Sequence, residues 1–586
     1  MRLWVIIIIL TGAFAGGALA DYHYASHEGS DEYPYTSWET AADSIQKAID
    51  ASSPGDTVYV GAGTFVETLE MKDTLALIGL GRDSTIVDGM SYEHDDWSVI
   101  FSGHNDFYQG MFVYGRYGRY PQGDSASGIN TLLQNIIIRD CYFFECKYAL
   151  SLYGYGDVEN CVFEDNETNV DLFAGGVRLV NNTFYDVIGF WAQFNLQLLD
   201  VRDGLEMRNN FIAGHTAGIM YCDSCIIANN LFVECRLSYR GGYPLIENNS
   251  YIGNNSHAQA MFFDSWEYAP TIPVIRNDII TGMLACGIGA DRYIAPCSLL
   301  VHHDLLYDMP FYYITYAGAV IDSSLGGNLY VDPMFADTVD FELQMFSPAI
   351  DAGDPEVLDV DGTRSDMGFL GGPFGRSYEY QDLPPQVPRD LSASVSGDTI
   401  TINWRYNTES DFGFHNVYRE TYSGFVPSPS NLIASPDTSV YYDLDWDHEH
   451  DYFYRITAVD NQGNESEPSE ELAVFIVGAP YDPNGNVPRA VVLEQNYPNP
   501  FNPLTTIKYH IPNVGAQPAE VELSIYDVLG KEVIVLVKER RYPGSYSVSW
   551  DGKDSGGHEA ASGIYFYRLK VWGIEVVKPR KMVLVR

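Results

Sequence analysis

At 586 residues the chain is long enough for several domains, and 79 acidic against 34 basic residues give it a formal net charge of -45. That charge excludes a nucleic-acid binder, because phosphate contact needs clustered Lys and Arg. It suits a protein that meets neutral or cationic glycans, whereas a polyuronate would be repelled unless calcium or a local Arg cluster intervened.

Residues 1–20 read as a secretory signal: Arg2, the apolar run Trp4 to Leu10, then Ala18-Leu19-Ala20 as a small-x-small cleavage site. The apolar run is too short for a spanning helix of about 20 residues, and no transmembrane segment is expected. Thr36-Ser37-Trp38-Glu39 has capping-box spacing, and Trp38, Ala41, Ala42, Ile45, Ala48 and Ile49 follow at helical intervals. This predicts a short amphipathic helix that closes one end of the first domain. Pro54-Gly55-Asp56 then turns the chain into short strands broken by glycines, Thr57 to Val60, Gly61 to Phe65 and Leu75 to Gly79.

An echo runs through the middle of the chain. It reads Asp140-Cys141-Tyr142-Phe143, Asn160-Cys161-Val162-Phe163, Asn181-Asn182-Thr183-Phe184, Asn209-Asn210-Phe211-Ile212, Asn229-Asn230-Leu231-Phe232, Asn248-Asn249-Ser250-Tyr251, Asn277-Asp278-Ile279-Ile280 and His303-Asp304-Leu305-Leu306. A unit of roughly 20 residues that recurs with insertions is the mark of a stacked solenoid. β-rich, helix-poor flanks favour parallel β coils, with the amides stacked as a ladder at the turns and the Phe/Ile positions stacked inside. All eight cysteines (141, 146, 161, 222, 225, 235, 286, 297) fall in this region. Cys141 and Cys161 hold one place in consecutive units, either as stacked buried thiols or as a disulfide, and Cys222-x-x-Cys225 is expected to be structural.

Ser44-Ile45-Gln46-Lys47-Ala48-Ile49 through Gly55-Asp56-Thr57-Val58-Tyr59-Val60 to Ser84-Thr85-Ile86-Val87-Asp88-Gly89 resembles the opening of right-handed parallel β-helix proteins of the pectate-lyase-like superfamily. The close of the region, Asp332-Pro333-Met334-Phe335, Ser347 to Asp354 and Asp361 to Gly368, is similar to that group as well. The resemblance covers roughly residues 37 to 374. It implies the fold, and leaves activity open, since this scaffold carries lyases, hydrolases, adhesins and spacers.

Pro384-Pro385-Gln386-Val387-Pro388 marks a linker. Thr399 to Trp404, Phe414 to Arg419 and Tyr452 to Asp460 then read as sandwich strands, and their order resembles a fibronectin type III domain over 384–477. A second linker spans 478–490. The run Leu493 to Pro503, Val521 to Val533, Trp550 to Asp554 and Ala561 to Tyr567, ending on Lys581-Met582-Val583-Leu584-Val585-Arg586, resembles the C-terminal sorting domain of type IX secretion substrates, which shares its sandwich with the Ig-like domain of flagellar hook-capping proteins. That resemblance implies delivery by secretion machinery across a bacterial outer membrane.

Three groups could carry chemistry. Asp223, Asp264 and Asp291 each end an apolar strand, with Asp200 and Asp203 in the preceding coil and Arg292 beside Asp291. Asp223 and Asp291 keep step with their leading Asn, while Asp264 lies two residues out of step. Stacked carboxylates would repel, raising some pKa values or attracting a cation, and this is the candidate catalytic edge. Aromatic insertions offer flat faces for sugar rings: Tyr114 and Tyr117, Trp266 and Tyr268, and Tyr312, Tyr313 and Tyr316. Asp359, Asp361 and Asp366 around Gly362 are closely spaced oxygen ligands suited to calcium, without the Glu of an EF-hand; no other cofactor is implied.

The chain is therefore expected to be all-β: a right-handed parallel β-helix over 21–380, then two small β-sandwich domains, 384–477 and 491–586. It reads as an exported, cell-surface or extracellular protein whose partner is a polysaccharide or cell-surface glycan. No polygalacturonase or lyase motif transfers residue by residue, so binding leads; the alternative is a polysaccharide lyase or glycoside hydrolase at the acidic edge.

Overall fold

The structure is a computed structural model. It describes residues 20–585 apart from 90–97, 103–105, 115–126, 132–134, 186–194, 223, 254–258, 266–268, 397, 448–449, 476–490, 512–518, 542–543, 572–573 and 576–577. Residues 1–19 of the secretory signal and the whole of the second linker thus fall outside the described residues. The chain forms two compact units, Met1–Asp382 and Leu383–Arg586.

The first unit is a parallel β-solenoid of about 9 turns. Each coil has three strands, as in Cys225–Ala228, Leu231–Val233 and Arg236–Gly242, and each pairs in parallel with its counterpart one coil on. We call the faces made by these strands the flank, the back and the front. The back is an 11-stranded sheet; flank and front are joined into one 22-stranded sheet because two 13-residue strands, Thr168–Val180 and Leu196–Arg208, run through both. Apolar side chains alternate into the core at period two, as strands with one covered face require. Phe143, Phe163 and Phe184 stack along the back at centroid distances of 5.0 and 4.7 Å, and Phe232 stacks on Tyr251 at 4.6 Å.

The turn from flank to back takes two residues per coil, and the repeated motif lies there. Its first residue adopts the left-handed conformation: Asp140, Asn160, Asn181, Asn209, Asn229, Asn248, Asn277 and His303 have φ between 52° and 60°. Asn and Asp tolerate this region best among residues with a Cβ. The second residue points inward and builds the ladder. Asn182 Nδ2 donates to Asn210 Oδ1 (3.2 Å), Asn210 to Asn230 (2.9 Å), Asn230 to Asn249 (3.0 Å) and Asn249 to Asp278 (3.1 Å), while the backbone N–H of each donor residue reaches the same acceptor. Asp278 N–H continues to Asp304 Oδ1 and Asp304 N–H to Asn328 Oδ1. The N–H of the second turn residue is thereby satisfied by a side chain of the next coil, at about 1 kcal/mol net per bond, while that of the first pairs with a backbone carbonyl there.

Cys141 and Cys161 occupy the ladder position in earlier coils as buried free thiols, each turned toward the carbonyl two residues before it. Cys222 and Cys225 are joined in a disulfide.

The helix differs from its sequence expectation. It covers Ile45–Ala51 rather than starting at Trp38. Ala42 is held extended by a bridge to Ala25, so the Thr36 capping box has no helix to cap. Ser44 is the N-cap, and Glu67 from the first coil accepts the free N–H groups of Ile45 (2.7 Å) and Gln46 (3.0 Å). Ile45, Ala48 and Ile49 are fully buried in the solenoid core.

After the last coil the chain doubles back, and residues 353–376 form a strap over the left-handed turns. Asn229 Nδ2 donates to Phe369 O (3.0 Å) and Gly371 O; Asn248 Nδ2 donates to Ser365 Oγ (2.9 Å) and Asp366 O (2.8 Å); Asn277 Oδ1 accepts from Asp354 N–H (2.6 Å).

The second unit holds two antiparallel sandwiches. One pairs a 3-stranded sheet containing Thr399–Asn403 with a 4-stranded sheet centred on Phe412–Glu420 and Tyr452–Asp460, around buried Trp404, Val417, Tyr454 and Ile456. The other pairs a 3-stranded sheet containing Thr505–Ile511 with a 5-stranded one containing Ala519–Tyr526 and Gly563–Val571, around Trp550, Tyr567 and Leu523.

Candidate functional site

On the front face, side chains that point outward line up from coil to coil. One row runs Leu199, Met220, Arg240, Asp264, Asp291 and Tyr316, each opposite the next in parallel register. Asp264 is therefore in step with Asp291, against the sequence count. The count runs from the turn, and the coil holding Asp264 carries extra residues between its back and front strands, which shift the count and leave the pairing intact. In the coil of Asp200 the row position is Leu199, one residue earlier, and Asp200 itself has φ 55°. Asp223 lies outside the described residues.

Asp264 is not a free carboxylate. Arg240 Nε reaches its Oδ1 at 2.7 Å and Nη2 its Oδ2, a two-pronged pair that raises the Arg240 pKa. Asp291 is half-buried and makes no ion pair among the described residues. Arg292 is exposed, opposite Ser265, and ends its strand away from both carboxyls' row. Beneath the row, burial, reinforced by the fields of Asp264 and Asp291, pushes the Cys297 thiol up to about 12.

The supports of the row are local. Thr271 Oγ1 donates to Asp264 O (2.6 Å), and Ser265 Oγ donates to Ala295 O (2.7 Å) while accepting from Tyr293 N–H (3.2 Å). Tyr239 OH donates to Cys222 O (2.8 Å), tying the disulfide-closed turn to the strand of Arg240. The row ends in aromatics: Tyr316 is 48% exposed, Tyr293 67%, Phe311 60%, and Tyr312 packs on Tyr330 at 4.5 Å.

Of the aromatic candidates, Tyr117, Trp266 and Tyr268 fall outside the described residues, and of Tyr114 only the backbone, in the strand Phe112–Tyr114, is described. Asp359, Asp361 and Asp366 share one turn, with both oxygens of Asp359 and Asp366 and one of Asp361 already engaged. Asp359 accepts from Asp366 N–H (3.0 Å) and Gly372 N–H, Asp361 from Thr363 N–H and Oγ1, and Asp366 from Asp351 N–H and Tyr380 OH. Burial pushes Asp359 up to about 6 and raises Asp366, while the Thr363 bonds lower Asp361.

Two groups escaped the sequence reading. Asp171 sits on the front face beside Ser151, buried, with burial lifting it to about 6 and its Oδ1 unpartnered among the described residues. His302, His303 and Asp354 bring one donor atom each within 4.8 Å. Two imidazoles and a carboxylate suit a transition metal. Here the two Nδ1 atoms lie 3.0 Å apart, within hydrogen-bond distance, and Arg276 Nη1 holds Asp354 Oδ2 at 2.8 Å, so the cluster is satisfied as a clasp for the strap. It spans residues 276 to 354, a separation at which no short motif exists.

Residues 511–573 match the FlgD Ig-like domain family. The chain ends in an FlgD Ig-like domain. A fibronectin III-like sandwich precedes it. Among solved structures, the chain is similar to a Fn3-like protein from Clostridium thermocellum at 32% identity, over 15% of this chain and 90% of that one (TM-score 0.13). It is also similar to dimeric latent PorU from Porphyromonas gingivalis at 17% identity, over 36% and 21% (TM-score 0.16), and to a two-domain fibronectin type-III segment of chicken tenascin at 16%, over 34% and 99% (TM-score 0.15). No curated protein matches the chain. No helix among the described residues is long and apolar enough to cross a membrane.

Proposed function

We propose that this is an exported, cell-surface or extracellular protein whose solenoid contacts a polysaccharide or cell-surface glycan along the row Arg240, Asp264, Asp291 and Tyr316, without identified catalysis. The observation that carries the reading is the junction of Asp291 and Tyr316 on neighbouring strands. A carboxylate accepts sugar hydroxyls while an exposed ring beside it covers a pyranose face. Trp266 and Tyr268, next in sequence to Ser265, join the proposal as further stacking rings. The net charge of -45 favours a neutral or cationic glycan. The three-faced coil with its amide turn supports membership of the pectate-lyase-like group. The FlgD Ig-like match over residues 511–573 supports delivery by type IX secretion.

A second reading, a glycoside hydrolase or lyase, draws on Asp264 facing Asp291 one strand apart, about 4.8 Å. That approaches the separation of about 5 Å used by retaining glycosidases. Arg240 counts against it, because it occupies both oxygens of Asp264.

The deciding experiment presents the mature chain from residue 21 to an array of neutral, cationic and acidic glycans, alongside Asp291→Asn and Tyr316→Ala, while assaying for new reducing ends and unsaturated products. Binding weakened by both variants without product supports the first reading. Product formation lost in Asp291→Asn establishes the second, and an array without any hit sinks both.

A further inference from the structure

The left-handed turn edge is one continuous column, yet its two halves are treated differently. Asn229, Asn248 and Asn277 are each at most 1% exposed, because the strap covers them and takes their side-chain hydrogen bonds. Asn160, Asn181 and Asn209 have the same conformation and the same residue type, and they are exposed, with no side-chain hydrogen bond among the described residues. The strap runs toward the earlier coils and ends above them: Phe374 lies 4.2 Å from the Arg208 guanidinium, and Phe374, Gly375 and Arg376 line a cavity of about 270 Å³ with Asn181 and Asn209. Beyond that point the edge opens into a second cavity of about 520 Å³, lined by Gly81, Arg82, Gly110, Asp140, Asn160 and Asn181.

The covered half states what fits the open half. Asn229 and Asn248 donate to backbone carbonyls and Asn277 accepts from a backbone N–H, groups that any polypeptide supplies. Close approach to the column also selects against a side chain: a Cβ on Gly372 would lie 2.6 Å from Asn248 Oδ1, and at Gly371 and Gly353 the tight strap turn itself needs glycine, since a Cβ would lie 2.1 Å from Asp366 O and 2.7 Å from Ser365 O. Sugar hydroxyls would not require that selection, whereas a glycine-rich, turn-forming peptide meets both conditions.

We propose that the open edge from Gly110 to Asn209 is a docking groove for a glycine-rich peptide segment of a partner protein, held by the side-chain amides of Asn160, Asn181 and Asn209 as the strap is held by Asn229, Asn248 and Asn277. The site lies at the turn between flank and back, and the glycan row lies on the front face, so the two readings stand or fall separately.

The probe is a fluorescent peptide with the sequence of residues 364–376, titrated by anisotropy into the mature chain from residue 21. Two triple variants accompany it. Asn160→Asp/Asn181→Asp/Asn209→Asp keeps a residue tolerant of the turn and replaces the amide donors with acceptors; Asn160→Gly/Asn181→Gly/Asn209→Gly keeps the turn and deletes the donors. Saturable binding below about 1 mM, weakened at least about tenfold in both variants and unchanged by Asp291→Asn, is the expected result. Failure to saturate, or equal binding by the triple variants at unchanged melting temperature, overturns the proposal. So does a neutral hexasaccharide that binds and is lost in both variants while the peptide is not.

Discussion

The backbone N–H of Asp278 donates to Asp304 Oδ1 at 2.8 Å, and both carboxyls are fully buried, with each Oδ2 lacking a hydrogen-bond partner among the described residues. These acids stand where earlier coils have Asn. An ionised pair one coil apart in a dry core would be costly, and burial raises both pKa values well above 3.8, with Asp304 adding to the rise at Asp278. Protonated, each acid stands in for an amide.

The sign of the pH dependence follows. A carboxyl whose folded pKa is raised binds more protons folded than unfolded, so stability is greatest below 3.8 and declines as pH climbs toward the folded value. Asp278→Asn/Asp304→Asn continues the ladder without titrating. Its melting temperature should match the parent near about pH 4 and exceed it increasingly as pH rises above that, at up to about 1.4 kcal/mol per pH unit per group until the folded value is passed. Parallel pH profiles for the two proteins would contradict this account.

Arg276 lies between Glu247 and Asp354, donating to Glu247 Oε2 from Nε (3.0 Å) and Nη2 (2.8 Å) and to Asp354 from Nη1. Arg276→Met should cost about 3 kcal/mol in urea unfolding, because it strands a buried carboxylate, and Glu247→Gln should restore part of the loss.

A ladder amide and a turn amide from the same coil should behave differently. Asn210→Ala removes the acceptor of two donors from Asn182 and the donor to Leu179 O, and should cost about 2 kcal/mol or more. Asn209→Gly, at the exposed left-handed position, should stay within about 0.5 kcal/mol. Comparable midpoints in denaturant titration would refute the division of labour between the two positions.

Millimolar calcium, or its removal by chelator, should leave the melting temperature unchanged. Both oxygens of Asp359 and Asp366 and Oδ1 of Asp361 are already spent on N–H and O–H donors, so native-state binding has little to add. A rise of several degrees that is lost in Asp361→Asn would show that the turn rearranges around the ion.

The repeat was legible because its two turn residues obey strong local constraints, a left-handed backbone at Asn209 and a buried amide at Asn210, whatever surrounds them. The strap was not, since Asn229 meets Gly371 across 142 residues and only a folded stack brings them together. The front-face row was half legible. Strand-ending acids were visible, but insertions between back and front strands hid the register of Asp264, and nothing in the sequence announced that Arg240 would hold that acid rather than Arg292 approach Asp291. The helix was misplaced because its cap partner, Glu67, comes from the next segment of chain.

The ladder also has a direction: each amide gives to the side chain of the coil that follows it, while also reaching back to a backbone carbonyl of the coil before. A whole coil is consequently the natural currency of change in such a protein. Removing or duplicating one hands each neighbour a replacement partner of the same kind in the same place, whereas shifting a turn by a single residue would put a left-handed Asn where the next coil expects an acceptor.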